Sequence, residues 1–107
     1  MSTFDKREEG FEKKFALDEE QKFKAVARRN KLLGLWAAEK LGITGDAASA
    51  YAKEVVTADF EEAGDGDVQN KVMRDFAGKG VAITAQELRA KMDELMALAA
   101  SQVKSGV

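Results

Sequence analysis

The sequence predicts an all-α fold, a four-helix bundle with a mobile N-terminal segment before the first helix. Two features of the composition favour helices. The 107 residues include no proline, and they include only one tyrosine and one tryptophan, too few for a typical turn-rich β fold. Apolar residues also recur at helical spacing in four stretches, which glycine-containing segments separate. The length is that of a single domain with one modest core.

The first helical stretch is predicted to run from about Asp5 to Leu41. Gly42 follows as a stop signal, and Thr44-Gly45-Asp46 supplies a cap for the next helix. A continuous helix of this length would span roughly 55 Å, about twice what a bundle of this size can cover. We therefore expect part of this stretch to project, fray or fold back.

An interruption in the apolar stripe indicates which part projects. Val26, Leu33 and Trp36 lie on nearly the same helical bearing as three phenylalanines near the N-terminus, and three charged residues occupy that bearing in between. The phenylalanines are Phe4, Phe11 and Phe15, and the charged residues are Asp18, Glu19 and Lys22. The part from Phe23 to Leu41 is dense in Leu, Ala and Trp, and we expect it to be the core helix. Residues 1–22 hold twelve charged residues and too few apolar ones to become ordered alone.

Three shorter helices follow, and breakers or caps define their predicted ends. They run from about Asp46 to Glu62, from Asp65 or Asp67 to the Gly78-Lys79-Gly80 breaker, and from Thr84 onward. Thr84 and Glu87 have the spacing of a capping box. We interpret the residues just before Thr84, Val81 to Ile83, as a linker rather than a strand, with Ile83 packed on the last helix.

The composition excludes several classes of site. Without His or Cys there is no thiolate nucleophile, imidazole base, Cys/His zinc site, disulfide or histidine pH switch. No glycine-rich phosphate loop is present, and Asp65-Gly66-Asp67 lacks the ligands that a calcium loop needs further along. The net charge of −2 does not indicate a nucleic-acid binder, and no apolar run is long enough to cross a membrane. We therefore expect no metal, no cofactor and no enzyme activity.

Two patterns have a functional and a structural interpretation. The stripe of Phe4, Phe11 and Phe15 could anchor a helix in a partner's groove, or it could pack back on the chain's own bundle. The stripe alone favours neither, and the excess length of the first helical stretch favours the groove. The basic cluster of Arg28, Arg29 and Lys31 could bind phosphate groups of a nucleotide. A solvated helix face is the favoured interpretation of that cluster.

Three runs of residues resemble one known family. They are RRNKLLGLWAAE from Arg28 to Glu39, YAKEVV from Tyr51 to Val56, and ADFEE from Ala58 to Glu62. Together they are similar to short alphaproteobacterial proteins that include the inhibitory zeta subunit of the F-type ATP synthase. The resemblance implies a four-helix bundle, residues 21–105, preceded by a mobile inhibitory segment, residues 1–20.

The resemblance also implies a mechanism and partners. In the family, the N-terminal segment inserts as a helix between the alpha and beta subunits of the catalytic head, against the central stalk, and blocks ATP hydrolysis. The matching positions in this chain are Phe4, Lys6, Arg7, Phe11, Lys13, Lys14 and Phe15. We expect a chain that is monomeric when free, binds no nucleic acid, and is cytoplasmic, held at the inner face of the cell membrane through the synthase. The alternative is a small bundle that binds a nucleotide or another small ligand.

Overall fold

The computed structural model describes residues 17–58 and 66–106, which form four α helices. They are α1, Glu19–Leu41; α2, Gly45–Ala58; α3, Gly66–Lys79; and α4, Ala85–Lys104. No strand occurs in these two ranges, so the predicted all-α, four-helix class is confirmed. The predicted mobile segment falls almost wholly within residues 1–16, outside the described residues, and its division from the bundle stays a prediction.

The core part of the first helical stretch, predicted from Phe23 to Leu41, is confirmed as α1, which begins four residues earlier at Glu19; Leu17 and Asp18 are not helical, so the stretch from Asp5 is not one continuous helix. Asp18 has an extended backbone, with ψ at 176°. Its carboxylate accepts a hydrogen bond from the Gln21 backbone N–H at 2.7 Å, and the Gln21 side chain accepts one from the Asp18 N–H at 3.2 Å. The two side chains thus take up the backbone N–H groups of Asp18 and Gln21 that a preceding helical turn would otherwise bond. The helix therefore starts within the charged interruption of the apolar stripe.

The other helix ends follow local signals. Gly42 and Gly80 both have positive φ and follow directly after the last residues of α1 and α3. These helices therefore end where the glycine stop signals predict. The Thr84–Glu87 capping box is confirmed at the start of α4, and the linker from Val81 to Ile83 is not a strand. The predicted end of the second helix at Glu62 lies outside the described residues, since α2 is described as far as Ala58.

The core forms around α1, which contacts each of the other three helices. Its largest fully buried side chains come from all four helices: Leu33, Val55, Val68, Val72, Phe76, Leu88 and Met92. Burial of each such side chain contributes about 1.5–3 kcal/mol relative to leaving it in water. Ile83 is half-buried and packs against this cluster, as predicted.

Several side chains of α1 have environments that the sequence pattern did not predict. Phe23, expected in the core helix, is 63% exposed. Arg29, expected on a solvated face, is buried and only 2% exposed, and the neighbouring Asn30 is fully buried beside it. Trp36 packs against the core but stays half-buried. Arg29 and Asn30 are buried because α1 has neighbours on several sides, so its buried arc is wider than its apolar stripe.

Candidate functional site

An open groove of about 710 Å³ runs beside the first half of α1 and is the main candidate for a binding site. It lies where the start of α1 meets the last turns of α2 and α4. Its apolar lining residues are Phe23, Ala27, Val56 and Val103. Its basic lining residues are Lys24, Arg28 and Lys31.

The groove combines an apolar surface with positive charge. Phe23 is the most exposed large hydrophobic side chain in the described ranges, so a ligand with an apolar face would bury it at a gain. Lys31 is exposed, and Lys24 forms an exposed ion pair with Glu20 at 3.2 Å. An exposed pair of this kind contributes little to stability and leaves the lysine able to meet another anion. The groove is therefore suited to an apolar ligand with acidic groups beside it.

The structure divides the predicted basic cluster. Arg28 and Lys31 line the groove, whereas Arg29 is turned into the protein and is not among the lining residues. The Arg29 Nε donates a hydrogen bond to the Asn30 Oδ1 at 2.7 Å. Consecutive helical residues point about 100° apart, so three near-neighbours cannot all face one side. If the groove binds an anion, Arg28 and Lys31 contact it and Arg29 does not.

Asn30 is the polar residue that the core holds most deeply. Its side chain is fully buried, and its Nδ2 has no hydrogen-bond partner in the structure as described. A buried amide without an acceptor costs about 1–3 kcal/mol. The Arg29–Asn30 pair is thus a buried polar contact between packed helices. Its role is structural, because neither side chain is exposed to a ligand.

The predicted partner-binding residues of the N-terminal segment cannot be placed by the structure. Phe4, Lys6, Arg7, Phe11, Lys13, Lys14 and Phe15 all lie outside the described residues. Their roles stay predictions. The described part of the chain begins at Leu17, directly before the capping box. Leu17 is four residues before Gln21, which lines the groove.

A second cleft, of about 500 Å³, lies beside Trp36. The Trp36 ring packs edge-on to the Phe76 ring, with centroids 5.8 Å apart and planes at 77°. The ammonium groups of Lys40 and Lys91 lie 5.6 and 5.7 Å from the Trp36 ring centroid. Lys91 also pairs with Glu94 at 3.0 Å. Two lysines of the chain itself therefore make cation–π contacts with the Trp36 ring. The residues of this cleft are explained by packing within the bundle and need no ligand.

A polar cluster joins α2 to α3. The Tyr51 hydroxyl donates to the Asp75 Oδ2 at 2.7 Å, and the Lys71 Nζ donates to the same oxygen at 3.1 Å. The Lys71 ammonium also lies 5.1 Å from the centre of the Tyr51 ring. Burial of the phenol raises the pKa of Tyr51 well above its ordinary value, and the hydrogen bond to Asp75 and the charges of Asp75 and Glu54 add to this. The cluster is internally satisfied and links two helices.

The described ranges contain no group of three acidic, His or Cys side chains arranged to hold a metal ion. In the same ranges, no helix has both the length and the apolar character to cross a bilayer.

Sequence reasoning did not identify Phe23, Val56 and Val103 as parts of one surface. These residues are separated by up to eighty positions, and helical periodicity within one segment carries no information about which helix ends meet. The available signal was local: Phe23 lies between Lys22 and Lys24, an unusual setting for a core side chain.

Comparisons with known proteins agree with this architecture. A family model described as ATPase inhibitor subunit zeta matches residues 1–102. A protein whose structure was solved by solution NMR is 56% identical and superposes with a TM-score of 0.69, over 79% of this chain and 96% of that chain. A search of curated proteins finds no match. The family description is that of a regulatory protein and confirms the expectation that the chain is not an enzyme.

Proposed function

Because the chain belongs to the family of ATPase inhibitor subunits zeta, we propose that it inhibits ATP hydrolysis by the F-type ATP synthase through residues 1–17. The segment inserts as a helix into a catalytic interface of the head, between the alpha and beta subunits and against the central stalk. The four-helix bundle stays outside and docks on the head. The observation that carries the proposal is the family match, since it extends over residues 1–102 and so includes the whole segment.

The start of α1 supports a division between segment and bundle. The capping box of Asp18 and Gln21 marks the beginning of the bundle's first helix. Thirteen buried hydrophobic residues from α1 to α4 form one contiguous cluster. A bundle with its own core can hold its shape while the preceding residues adopt another conformation on a partner.

The residues of the segment suggest how insertion is stabilised. Burial of Phe4, Phe11 and Phe15 at the head offsets the cost of ordering the backbone. Lys6, Arg7, Lys13 and Lys14 provide a charged flank beside this stripe. A helix wedged between subunits that must close during hydrolysis would stop rotation. The site of action is then the cytoplasmic side of the membrane, where the head of the synthase lies.

The experiment measures ATP hydrolysis by the cognate head at increasing concentrations of the chain. Replacement of Phe11 and Phe15 by Ala should weaken inhibition by about tenfold or more for each anchor lost. The matched control is Leu98→Ala, which removes an exposed apolar side chain of α4, 45% exposed, and should leave inhibition unchanged.

Removal of residues 1–17 extends the test. The shortened chain should keep its helical circular dichroism spectrum and lose inhibition. Equal inhibition by the full and the shortened chain would contradict the proposal, because the bundle alone would then be sufficient.

A second candidate function is the binding of a small anionic ligand, such as a nucleotide, in the groove beside α1. The observation that favours it is that Arg28 and Lys31 line the same groove as the exposed Phe23 ring. Titration with a nucleotide should then shift the backbone amide resonances of Lys24, Arg28 and Lys31. Absence of these shifts at saturating nucleotide would exclude this function.

A further inference from the structure

The groove beside α1 is a surface shared by three helices. Both α2 and α4 contact α1, whereas the described parts of α2 and α4 do not approach each other as closely, so α1 lies between them. Phe23 and Ala27 of α1 line the groove together with Val56 near the end of α2 and Val103 near the end of α4. The groove is therefore an open apolar surface, assembled at one end of the bundle.

The α1 side of the groove is basic. Lys24, Arg28 and Lys31 follow one another at spacings of four and three residues, which places them on one face of α1 over roughly 10 Å. Among the described residues that line the groove, none is acidic. The chain has a net charge of −2, so this surface has the opposite sign to the chain as a whole.

We propose that this groove is the docking face of the bundle, and that it binds an acidic surface with an apolar ridge on the ATP synthase head, beside the point where residues 1–17 enter. The inference rests on the proposed function and adds to it a second contact, made by the folded part of the chain. Carboxylates of the head pair with Lys24 and Lys31, and an apolar side chain of the head covers the Phe23 ring.

The exposure of Phe23 favours a protein surface as the occupant. Phe23 is 63% exposed, against 38% for Leu35 on the same helix. An aromatic side chain among apolar neighbours, with basic residues around it, has the composition of a protein–protein hot spot. Along α1 the lining extends from Gln21 to Lys31, ten residues or roughly 15 Å. A neighbouring protein surface can cover this whole length.

Charge determines the chemistry of that surface. A partner with carboxylates beside its apolar ridge would meet the basic side of α1 with opposite charge, whereas a basic partner would be repelled. The ion pair of Lys24 with Glu20 is exposed and contributes little, so it does not prevent Lys24 from pairing with another carboxylate.

The start of α1 places the groove beside the inserted segment. Gln21 lines the groove and is joined to Asp18 by two hydrogen bonds, at 2.7 and 3.2 Å. From Glu19 to Lys31 the helix rises over twelve residues, or roughly 18 Å. When residues 1–17 occupy an interface of the head, the groove therefore begins at the mouth of that interface, within reach of the adjoining head surface.

Two contacts on one chain reinforce each other. A bundle docked at the mouth of the interface keeps the segment at a high effective concentration beside its site. Loss of the docking contact should therefore raise the concentration of the chain that gives half-maximal inhibition. Maximal inhibition should not change, because the segment itself is intact.

The first test acylates the lysines of the natural chain and locates the products by mass spectrometry, with and without saturating cognate head. Docking predicts that labelling of Lys24 and Lys31 becomes severalfold slower on the head. Lys22 is the matched control, since it is exposed, does not line the groove, and lies on the opposite side of α1 from Lys31. Equal slowing at Lys22 would overturn the proposal, because the start of α1 would then be enclosed on all sides.

The same measurement separates docking from insertion. Lys6, Lys13 and Lys14 report on the inserted segment. Slowing at these three lysines with none at Lys24 and Lys31 would overturn the docking proposal and leave the proposed function standing. Slowing at Lys24 and Lys31 alone would support docking and contradict insertion.

The second test removes the apolar contact. Phe23→Gln should raise the concentration for half-maximal inhibition by about tenfold and leave maximal inhibition unchanged. Leu98→Gln is the matched control, because Leu98 is an exposed apolar residue of α4 that does not line the groove. Both variants should keep the helical circular dichroism of the natural chain. Equal inhibition curves for Phe23→Gln and the natural chain would overturn the proposal.

The third test reverses the charge of the groove. Replacement of Lys24 and Lys31 by Glu should raise the concentration for half-maximal inhibition by a similar factor. Replacement of Lys22 and Lys53 by Glu changes the net charge equally, at exposed lysines that do not line the groove, and should have no effect. Equal effects of the two pairs would contradict a contact at the groove, since net charge alone would then explain them.

Two outcomes without the head would identify other occupants. Slower labelling of Lys24 and Lys31 on addition of ADP or ATP alone would assign the groove to a nucleotide and overturn the proposal. Slower labelling as the concentration of the chain alone is raised would assign it to a second copy and also overturn the proposal. Unchanged labelling in both cases, together with slowing on the head, supports docking.

Discussion

Gly34 of α1 lies directly against Ala52 of α2. A β carbon added to Gly34 would be 2.5 Å from the Ala52 α carbon and 3.3 Å from a methyl group of Val55. The obstructing atom belongs to the backbone, so it cannot swing aside as a long side chain can. The two helices are therefore held at a separation that only glycine permits at this position.

Gly34→Ala should destabilise the bundle by about 1–2 kcal/mol, because overpacking outweighs the better helix propensity of alanine. Thermal unfolding should show a midpoint lower by roughly 4–8 °C for each kcal/mol lost. Gly78→Ala is the matched control, since a β carbon there meets nothing within 4 Å. We expect that control to be neutral or slightly stabilising, and an unchanged midpoint for Gly34→Ala would mean that α2 can move away without cost.

Phe76→Leu should lower the free energy of unfolding by about 1–2 kcal/mol and change the environment of Trp36. Phe76 is fully buried, and its ring meets the edge of the single tryptophan with centroids 5.8 Å apart. The tryptophan emission of the folded variant should move to longer wavelength as Trp36 gains contact with water. The same change at the exposed Phe23 should alter stability by less than about 0.5 kcal/mol and leave the emission unchanged.

Tyr51→Phe should destabilise the protein by about 1–2 kcal/mol at neutral pH, because it removes the hydrogen bond to the Asp75 carboxylate. Lys71 continues to donate to Asp75 at 3.1 Å, so that carboxylate keeps one partner. Chemical denaturation of both proteins at the same pH gives the difference. A gain in stability would mean that burial of the phenol costs more than its hydrogen bond contributes.

Stability should fall more steeply above about pH 10 in the natural chain than in Tyr51→Phe. The pKa of Tyr51 is raised in the folded state, first by burial and then by Asp75. Above the ordinary tyrosine pKa the unfolded chain loses the phenolic proton while the folded chain retains it, so rising pH favours unfolding. The chain has one tyrosine, so tyrosinate absorbance reports this titration directly. An ordinary titration in the folded state would contradict the prediction.

Thr84→Ala should cost about 1 kcal/mol through loss of the cap on α4. The Thr84 hydroxyl accepts a hydrogen bond from the Glu87 N–H at 3.0 Å, and the Glu87 carboxylate accepts one from the Thr84 N–H at 3.3 Å. Hydrogen exchange at the Glu87 amide should become faster. Thr84→Ser keeps the hydroxyl and should behave like the natural chain; equal exchange rates in all three proteins would show that the cap is not protective.

Local signals explain which parts of the fold the sequence predicted. The cap at Thr84 and Glu87 and the stops at Gly42 and Gly80 each depend on residues within four positions of one another. The same kind of signal marks Asp18, but the apolar periodicity placed the start of the core helix at Phe23, four residues after the observed start at Glu19. The capping box, not the periodicity, determines where α1 begins.

The sequence by itself determined the helical class, the four helices, most of their ends, and the family to which the chain belongs. Only the tertiary structure decided that Phe23 is exposed, that Arg29 and Asn30 are buried, and that Phe23, Val56 and Val103 share one groove. Helix formation and capping depend on hydrogen bonds between near neighbours in the chain. Burial depends on where helices distant in sequence meet and end, and one segment's periodicity does not contain that information.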